Sequence, residues 1–299
     1  MLMTEPTLRQ LRTFVATIEA GSITEAARSP NLTQPAASQQ LRELQRTLRT
    51  RLLDRAEGRV VATAAGAAIF DHARRAHAAA ADVVAAAAAY HAGGQGRVRL
   101  GTGATACIYF LPALLAETRR RMPGIEIIVA TGNTPEIIRR VEDASLDAGL
   151  VTMPPRLPRA LDYGRIRHDP LAALVPKDYR SEAPLSPSDL ARTPLILYEK
   201  AGLTRSIIDA WFAAAGISAK PIMELGSVEA IKVLVGSGLG AAVLPTLALD
   251  RPVPGTRVRA LNPPVARDLA LAIRKGKVLD RGLRTLMDAL HEQHGPFQT

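Results

Sequence analysis

Hydrogen-bond donors recur along one face of a predicted helix near the N-terminus, where they could contact the edges of DNA bases. The donors between residues 34 and 49 are Gln34, Ser38, Gln39, Arg42, Arg46 and Arg49. Such side chains bind base edges and phosphates. The opposite face is an apolar stripe at helical spacing, formed by Ala37, Leu41, Leu44 and Leu48. The alternative to a DNA-contacting helix is an ordinary helical hairpin with a solvated basic face.

A second pattern, Gly101-Thr102-Gly103-Ala104-Thr105-Ala106, matches the dinucleotide-binding fingerprint G-x-G-x-x-A between a predicted strand and helix. A nicotinamide cofactor would also need an acid at the end of the next strand, to bind the ribose hydroxyls. That position is occupied by Thr131-Gly132-Asn133, and Glu126 lies at the wrong end of the strand. The sequence therefore favours a sheet edge that binds a small effector over a nicotinamide enzyme.

The remaining reactive side chains do not form a catalytic or metal-binding set. His291 and His294 belong to a C-terminal tail, where solvated side chains are the simpler interpretation. Cys107 is the only cysteine, so a packed thiol is favoured over a redox switch, which needs a second cysteine to resolve it. The spacing of the other residues suggests no nucleophile triad or carboxylate pair. We therefore predict no catalytic residue, no metal and no cofactor.

The donor-bearing helix is the second of two helices joined by a tight turn, which is typical of a helix-turn-helix. Ser22 and Glu25 form a capping box at the start of the first helix. Pro30 is expected to end it, since proline disfavours helical geometry in the preceding residue. Thr33 caps the second helix, and Pro35 lies in its first turn, where a missing N–H has no cost.

A short hairpin is predicted next, with residues 51–55 and 60–62 as strands and Gly58 in the loop. A hairpin after a helix-turn-helix forms a wing. Arg55 and Arg59 would then lie beside a minor groove or its phosphates.

Thr63 caps a long predicted helix that ends at about residue 91. Its apolar seam repeats every seven residues, as Ile69, Ala76, Val83 and Tyr90. A heptad seam of this kind favours contact with a second copy of the helix over a helix that lies on its own domain.

Strands and helices alternate beyond a predicted linker at residues 93–96. The first strands are expected at 98–102, 125–130 and 147–152, with helices at 104–121 and 135–142. This order predicts a parallel sheet with right-handed crossovers. The strand at 269–273 has no partner nearby in the sequence, so we expect it to return to the first sheet.

Composition supports a polyanionic partner and an intracellular protein. The net charge is +10, and six arginines fall within the eighteen residues from Arg42 to Arg59. A single cysteine fits the reducing cytosol, and neither a signal peptide nor an apolar run of membrane-spanning length is evident. We therefore expect a cytoplasmic location and no membrane partner.

These residues together resemble the LysR-type transcriptional regulators over essentially the whole chain. The strongest similarity comprises Phe14-Val15-Ala16, Gly21 to Ala27, Leu32 to Leu41, Leu52 to Arg55 and Thr63 to Gly66. A looser similarity in the second half includes Gly101-Thr102-Gly103, Leu111-Pro112, Gly132-Asn133-Thr134, Leu146-Asp147 and Gly238-Leu239-Gly240.

Two positions depart from the family. Pro30 replaces a common leucine, which shortens or repacks the second helix. Gln39 replaces a common arginine, which affects sequence preference and affinity.

The resemblance implies an α/β architecture in several parts. They are a winged helix-turn-helix domain at 1–62, a linker and dimerisation helix at 63–92, a hinge at 93–96 and an effector-binding domain at 97–299. The last part would resemble the two-lobed periplasmic binding proteins, with lobe I at 97–160 and 265–299 and lobe II at 161–264. The implied function is sequence-specific, effector-responsive transcription regulation without enzymatic activity. The alternative is a constitutive DNA-binding protein whose C-terminal domain serves only oligomerisation.

The resemblance also assigns partners and sites. The expected partners are double-stranded DNA with an interrupted inverted repeat, a small effector, further copies of the chain as a dimer or tetramer and, as an open question, RNA polymerase. The expected DNA contacts are Thr33, Gln34, Pro35, Ser38, Gln39, Arg42, Arg55 and Arg59. The expected effector contacts, at strand ends and helix starts between the lobes, are Thr102, Gly103, Thr105, Thr131, Asn133, Thr152, Tyr198, Thr204 and Ser227. Hydroxyls at helix N-termini favour an anion, so we expect a small anionic effector, bound without a metal.

Overall fold

The computed structural model describes residues 5–28, 32–91, 96–180 and 183–295. The chain divides into two compact units, an N-terminal one that runs to His91 and a C-terminal one that contains all the later strands. Pro30 and most of the predicted hinge at 93–96 lie outside the described residues, so the expectations about them stay predictions. Within the described ranges, no helix is long and apolar enough to span a membrane.

The N-terminal unit contains the predicted helix-turn-helix, wing and long helix. Its elements are α1 (Leu8–Ala20), α2 (Ile23–Arg28), α3 (Gln34–Thr47), β1 (Leu53–Ala56), β2 (Arg59–Ala62) and α4 (Ala64–His91). Two predicted caps are confirmed: Thr33 Oγ1 accepts from Ala36 N at 3.4 Å, and Thr63 Oγ1 accepts from Gly66 N at 3.0 Å. Each satisfies an amide that the first helical turn leaves without an intrahelical partner.

The core of this unit forms where the predicted stripe of α3 meets α1. Ala37, Leu41 and Leu44 are buried, and the two leucines pack with Phe14 of α1 and with Leu52, which precedes the wing. The polar face of α3 is consequently directed away from the core. The helical spacing of the apolar residues therefore decides which side chains remain available to a partner.

The C-terminal unit contains nine strands and seven α-helices among the described residues. The strands are β3 (Arg97–Thr102), β4 (Glu126–Thr131), β5 (Ala148–Thr152), β6 (Leu161–Pro176), β7 (Leu195–Tyr198), β8 (Pro221–Leu225), β9 (Ala242–Pro245), β10 (Thr256–Ala260) and β11 (Ala266–Arg274). The helices are α5 (Ala104–Tyr109), α6 (Leu111–Arg121), α7 (Thr134–Glu142), α8 (Pro187–Ala191), α9 (Leu203–Ala214), α10 (Val228–Gly236) and α11 (Arg281–His294).

Strand pairing confirms the main topological predictions. Strand β3 pairs in parallel with both β4 and β5, as the alternation of strands and helices predicts. Strand β11 returns to the first sheet and pairs antiparallel with β5 through Leu269–Ile273. The larger sheet has the order β10-β6-β11-β5-β3-β4, with β9 also paired to β6, and β7 and β8 form a separate parallel pair.

The long strand β6 corrects the predicted boundary between the lobes. Its first part pairs with β11, while residues 171–176 pair with β9 and β10. Leu161 and Tyr163 pack into the core of the first lobe with Val151 and Ala270. The crossing between lobes therefore lies near residue 170, ten residues later than the predicted boundary at 160/161. Residues 161–170 carry too many charges to be predicted as a buried strand.

The helix predicted at 104–121 is in fact two helices, α5 and α6, which meet at Phe110. Pro112 occupies the first turn of α6. Because proline has no N–H, it cannot donate to the carbonyl four residues earlier, and it therefore ends the preceding helix and begins the next.

A buried ion cluster joins three segments of the first lobe around Asp147. The carboxylate is almost fully buried and accepts from Arg99 N at 2.8 Å, Arg99 Nη2 at 2.9 Å and Lys277 Nζ at 3.3 Å. Burial alone would raise the pKa of Asp147, but the hydrogen bonds and charge of Arg99, with Lys277 beside it, lower the pKa below its ordinary value.

Asp147 should make the C-terminal unit sensitive to acid. A carboxyl whose pKa is lower in the folded state stabilises the fold above its unfolded pKa of about 3.9, and this contribution disappears as the pH falls through the folded pKa. We expect Asp147→Asn to reduce the free energy of unfolding at pH 7 by roughly 1–3 kcal/mol. It should also weaken the dependence of melting temperature on pH below about 4. Parallel acid and thermal melts of Asp288→Asn, an aspartate with no ion pair in the described structure, provide the control. Identical acid profiles for wild type and Asp147→Asn would contradict this assignment.

Candidate functional site

The exposed side of α3 and the wing together form a shallow groove. Ser38 and Arg42 of α3 line it on one side, and Arg51, Asp54 and Arg55 line it on the other. The guanidinium of Arg51 is paired with Asp54 at 2.7 Å. Those of Arg42 and Arg55 are exposed and make no hydrogen bond or ion pair with any described residue. Two cations without internal partners therefore border one groove, where they are available to an anionic partner.

Gly21 connects the wing to the helix-turn-helix. Its φ of 65° lies in the left-handed region, and its carbonyl accepts from Val60 N of the wing at 2.8 Å. The side chain of Arg59 lies directly over it, because a Cβ atom at position 21 would be 2.8 Å from Arg59 Nε. Arg59 is exposed and lies on the same wing as Arg55.

The other predicted DNA contacts differ in their availability. Thr33 and Pro35 are exposed at the start of α3. Gln34 Nε2 donates to Ser38 Oγ at 3.2 Å, so these two side chains are already ordered relative to each other. Gln39 Nε2 donates to Glu43 Oε1 at 3.0 Å, which leaves its amide oxygen as the group most available to a partner.

The C-terminal unit contains a cavity of about 350 Å³ between its two lobes, at the ends of β3, β4, β5 and β7. Seven of the nine predicted effector residues line it: Gly103, Thr105, Thr131, Asn133, Thr152, Tyr198 and Thr204. The carboxyl ends of parallel strands share one sheet edge, and this topology brings the residues together.

Thr102 and Ser227 do not line this cavity. Thr102 is fully buried, and its hydroxyl donates to Gly103 O at 3.4 Å. Ser227 Oγ accepts from Ala230 N at 3.3 Å and caps α10. Both hydroxyls therefore have structural roles, which sequence reasoning could not separate from binding roles because the residue types are the same.

Arg267 is a cavity residue that sequence reasoning missed. It lies in β11, is only 7% exposed, and donates from Nε to Asp169 Oδ2 at 2.9 Å and from Nη1 to Thr204 Oγ1 at 3.0 Å. Its Nη2 lies 2.9 Å from Asp169 Oδ2 but outside hydrogen-bond geometry, and is a buried donor without a hydrogen bond. Nη2 is therefore paired with the carboxylate by charge but keeps unused hydrogen-bonding capacity.

Asp169 fixes the position of Arg267. Its carboxylate is fully buried and also accepts from Leu247 N at 3.0 Å and Thr246 Oγ1 at 3.2 Å. Asp169 does not line the cavity, so the guanidinium separates it from the ligand space. The pair therefore places a neutralised charge, with Arg267 as its cavity-lining member, beside the ligand space.

Tyr198, at the end of β7, supplies a second unused donor. Its hydroxyl is buried and has no hydrogen-bond acceptor among the described residues, although the neighbouring Thr105 side chain can donate to it. Burial raises the pKa of Tyr198 to about 12, so the phenol is neutral and retains its proton at pH 7.

Two helices begin at the cavity with the same local sequence, Gly-x-Thr. Gly103 precedes α5 and Gly202 precedes α9, and neither supplies a side-chain cap. By contrast, Ser227 caps α10 and Asp280 caps α11. The first-turn amides of α9, a helix of twelve residues, are thus left for another acceptor. The repeated Gly-x-Thr was therefore a sequence signal that could have identified these two helix starts as part of the cavity lining.

Other chemistry around the cavity is limited. Arg205 lines it, but its Nε bonds to Asp209 at 2.8 Å and its Nη1 bonds to Glu224 at 3.0 Å and to the carbonyl of Tyr198, so these two nitrogens are already engaged. Among the described residues, no group of three histidine, cysteine, aspartate or glutamate side chains could bind a metal ion.

A winged helix-turn-helix unit followed by a two-lobed unit with a donor-rich cavity defines a ligand-binding transcription regulator. Residues 8–67 match the bacterial regulatory helix-turn-helix model of the lysR family, and residues 91–295 match the LysR substrate-binding domain. The chain belongs to the family of LysR-type transcription regulators, which confirms the resemblance and the predicted architecture. It is a DNA-binding protein with an effector-binding domain.

Individual relatives are similar to this chain over nearly its whole length. The HTH-type transcriptional regulator CbbR of Xanthobacter flavus is 32% identical over 97% of this chain and 89% of its own. The structure of HinK, a LysR family transcriptional regulator from Pseudomonas aeruginosa, is 26% identical with a TM-score of 0.60 and covers 97% of this chain and 99% of its own. Full-length OxyR from the same organism shares the fold at 22% identity and a TM-score of 0.66, with 99% of both chains covered.

Proposed function

We propose that this regulator responds to a small anionic metabolite, a carboxylate in the first instance, bound in the cavity between the lobes of the effector domain. The observation that supports this most directly is Arg267, a residue of the cavity lining whose buried Nη2 makes no hydrogen bond to any described residue.

The hydrogen-bonding groups of Arg267, Tyr198 and Thr204 favour a ligand that supplies acceptors. Arg267 Nη2 and Tyr198 Oη are both buried donors without acceptors. Thr204 Oγ1 already accepts from Arg267, so its own proton is free to be donated to a ligand. The uncapped start of α9 adds backbone donors and a positive helix dipole. A carboxylate has enough lone pairs to satisfy these groups together, and charged hydrogen bonds are the stronger kind.

The remaining parts of the proposal concern DNA and assembly. Ser38, Arg42 and Arg55 would contact DNA from their common groove, and Arg59 would contact the flanking phosphates. Val83 of α4 is 70% exposed within the predicted heptad seam, which supports contact with a second copy of α4. A two-fold assembly would require an interrupted inverted repeat in the DNA. A C-terminal domain that served only oligomerisation would have no need of unsatisfied donors in a cavity.

Loss of the Thr204 or Tyr198 hydroxyl should weaken effector binding. Thermal shift with a panel of carboxylates and phosphate esters identifies an anion that binds the folded protein, and calorimetry then compares the variants. Thr204→Val and Tyr198→Phe should each reduce affinity by about 10-fold or more, since a hydrogen bond to a charged group contributes roughly 1.5–3 kcal/mol.

Ser227→Ala is the matched control, because it also removes one hydroxyl beside the cavity. It should lower stability by about 1 kcal/mol through the lost cap and leave affinity unchanged. A panel in which no anion raises the melting temperature, or equal affinities for wild type and Thr204→Val, would contradict the proposal.

A further inference from the structure

An acid faces the same cavity as the donor-rich wall. Glu199 directly follows Tyr198 and lines the cavity. It is exposed, and its carboxylate makes no hydrogen bond or ion pair with any described residue. Unlike Asp169, which is bound by Arg267 and by a backbone amide, Glu199 is an acceptor left for a ligand.

The backbone and a neighbouring glycine position this acid. Glu199 N donates to Leu225 O at 3.2 Å, and Glu199 O accepts from Gly202 N at 3.4 Å. Its carboxylate lies over Gly226, another cavity residue, because a Cβ atom at position 226 would be 2.9 Å from Glu199 Oε1. Any side chain at position 226 would therefore displace the carboxylate, and glycine leaves the space that it occupies.

The cavity therefore contains both hydrogen-bond donors and a negatively charged acceptor. One wall presents the donors of Arg267, Tyr198 and Thr204, and Glu199 presents a negative charge. A ligand that carried only acceptors would bring like charge against Glu199, which is unfavourable where water is partly excluded. A ligand that also carried a hydroxyl or an ammonium group would satisfy both.

We infer that the effector is a carboxylate with a hydroxyl or amino substituent, and that Glu199 is the residue that selects this substituent. The inference rests on the proposed function, because it takes the carboxylate end to bind at Arg267. It adds a second requirement, a hydrogen-bond donor on the same molecule.

Three acids of the same carbon skeleton provide the test: succinate, malate and aspartate. Calorimetry should show that the full-length wild type binds malate or aspartate at least tenfold more tightly than succinate. Glu199→Ala should abolish that preference and leave succinate binding equal or stronger, since a negative charge has been removed. Glu199→Gln distinguishes the substituents, because its carbonyl still accepts from a hydroxyl but no longer pairs with an ammonium group.

The control is Glu126→Gln, which removes the same charge at the end of β4 remote from Thr131. It should keep the wild-type order of the three acids. If Glu199→Ala also keeps that order, the role of Glu199 is overturned, whereas the proposed anion site survives as long as Thr204→Val weakens all three acids. Binding of none of them to wild type or Glu199→Ala would overturn the inference, whereas the proposed function fails only if no anion of the thermal-shift panel binds.

Discussion

Arg267→Leu is expected to reduce the free energy of unfolding of the effector domain by about 3–5 kcal/mol, because it leaves the Asp169 carboxylate buried without its cation. Asp169 is 0% exposed, and Arg267 is the only cation that the described structure places against it. Leucine fills part of the volume but supplies no charge. The carboxylate of Asp169 is then buried without a counter-ion, which lowers the free energy of unfolding. Urea unfolding followed by circular dichroism measures this loss.

A double substitution separates charge from packing. Asp169→Asn in the Arg267→Leu background removes the unpaired charge but keeps an acceptor for Leu247 N and Thr246 Oγ1. It should therefore recover most of the lost stability, as expected when both members of a buried pair are neutralised together. A double variant no more stable than Arg267→Leu would show that packing, not charge, explains the loss.

Arg267→Lys addresses binding more directly. A lysine can still neutralise Asp169 but lacks the planar fork whose Nη2 makes no hydrogen bond within the described structure. We expect a folded protein with reduced affinity for the anion, measured by the same calorimetry as for Thr204→Val.

The second large effect is expected at the DNA surface. The double variant Ser38→Ala with Arg42→Ala should weaken operator binding at least 30-fold, since each base contact contributes roughly 1–3 kcal/mol and 1.4 kcal/mol corresponds to a factor of ten. Both side chains line the groove between α3 and the wing, and neither belongs to the buried core of Phe14, Leu41 and Leu44. The fold should therefore remain intact. Gel-shift titration on a promoter fragment recovered by chromatin mapping measures the change.

The wing arginines should act differently from Arg42. Arg55→Ala and Arg59→Ala would each remove a phosphate contact, so they should weaken binding to all sequences and reduce the salt slope by about 1. Arg119→Ala, which removes the same charge from an exposed position on α6, is the control and should leave the slope unchanged. Unaltered footprints with Ser38→Ala and Arg42→Ala would contradict the role of α3.

The N-terminal unit could be predicted closely because its signals are local. The caps Thr33 and Thr63 act within three residues of their partners, and the stripe of Ala37, Leu41 and Leu44 follows from helical periodicity alone. The sheet topology of β3, β4 and β5 followed from element order, since parallel strands need crossovers. The strand at 161–170 was missed because its partner β11 lies about one hundred residues away, and its charged side chains hide the alternation.

The sequence by itself determined that this chain has a winged helix-turn-helix and an α/β effector domain, and that hydroxyls gather where its strands end. Only the tertiary structure decided which hydroxyls face the cavity. Thr204 lines it and accepts a hydrogen bond from Arg267, whereas the hydroxyl of Ser227 caps α10. The structure also brought together Arg267, Asp169 and Glu199, which are distant or unremarkable in the sequence. Capping is a contact between near neighbours in the chain, but ion pairing and cavity lining depend on long-range packing, which no local pattern encodes.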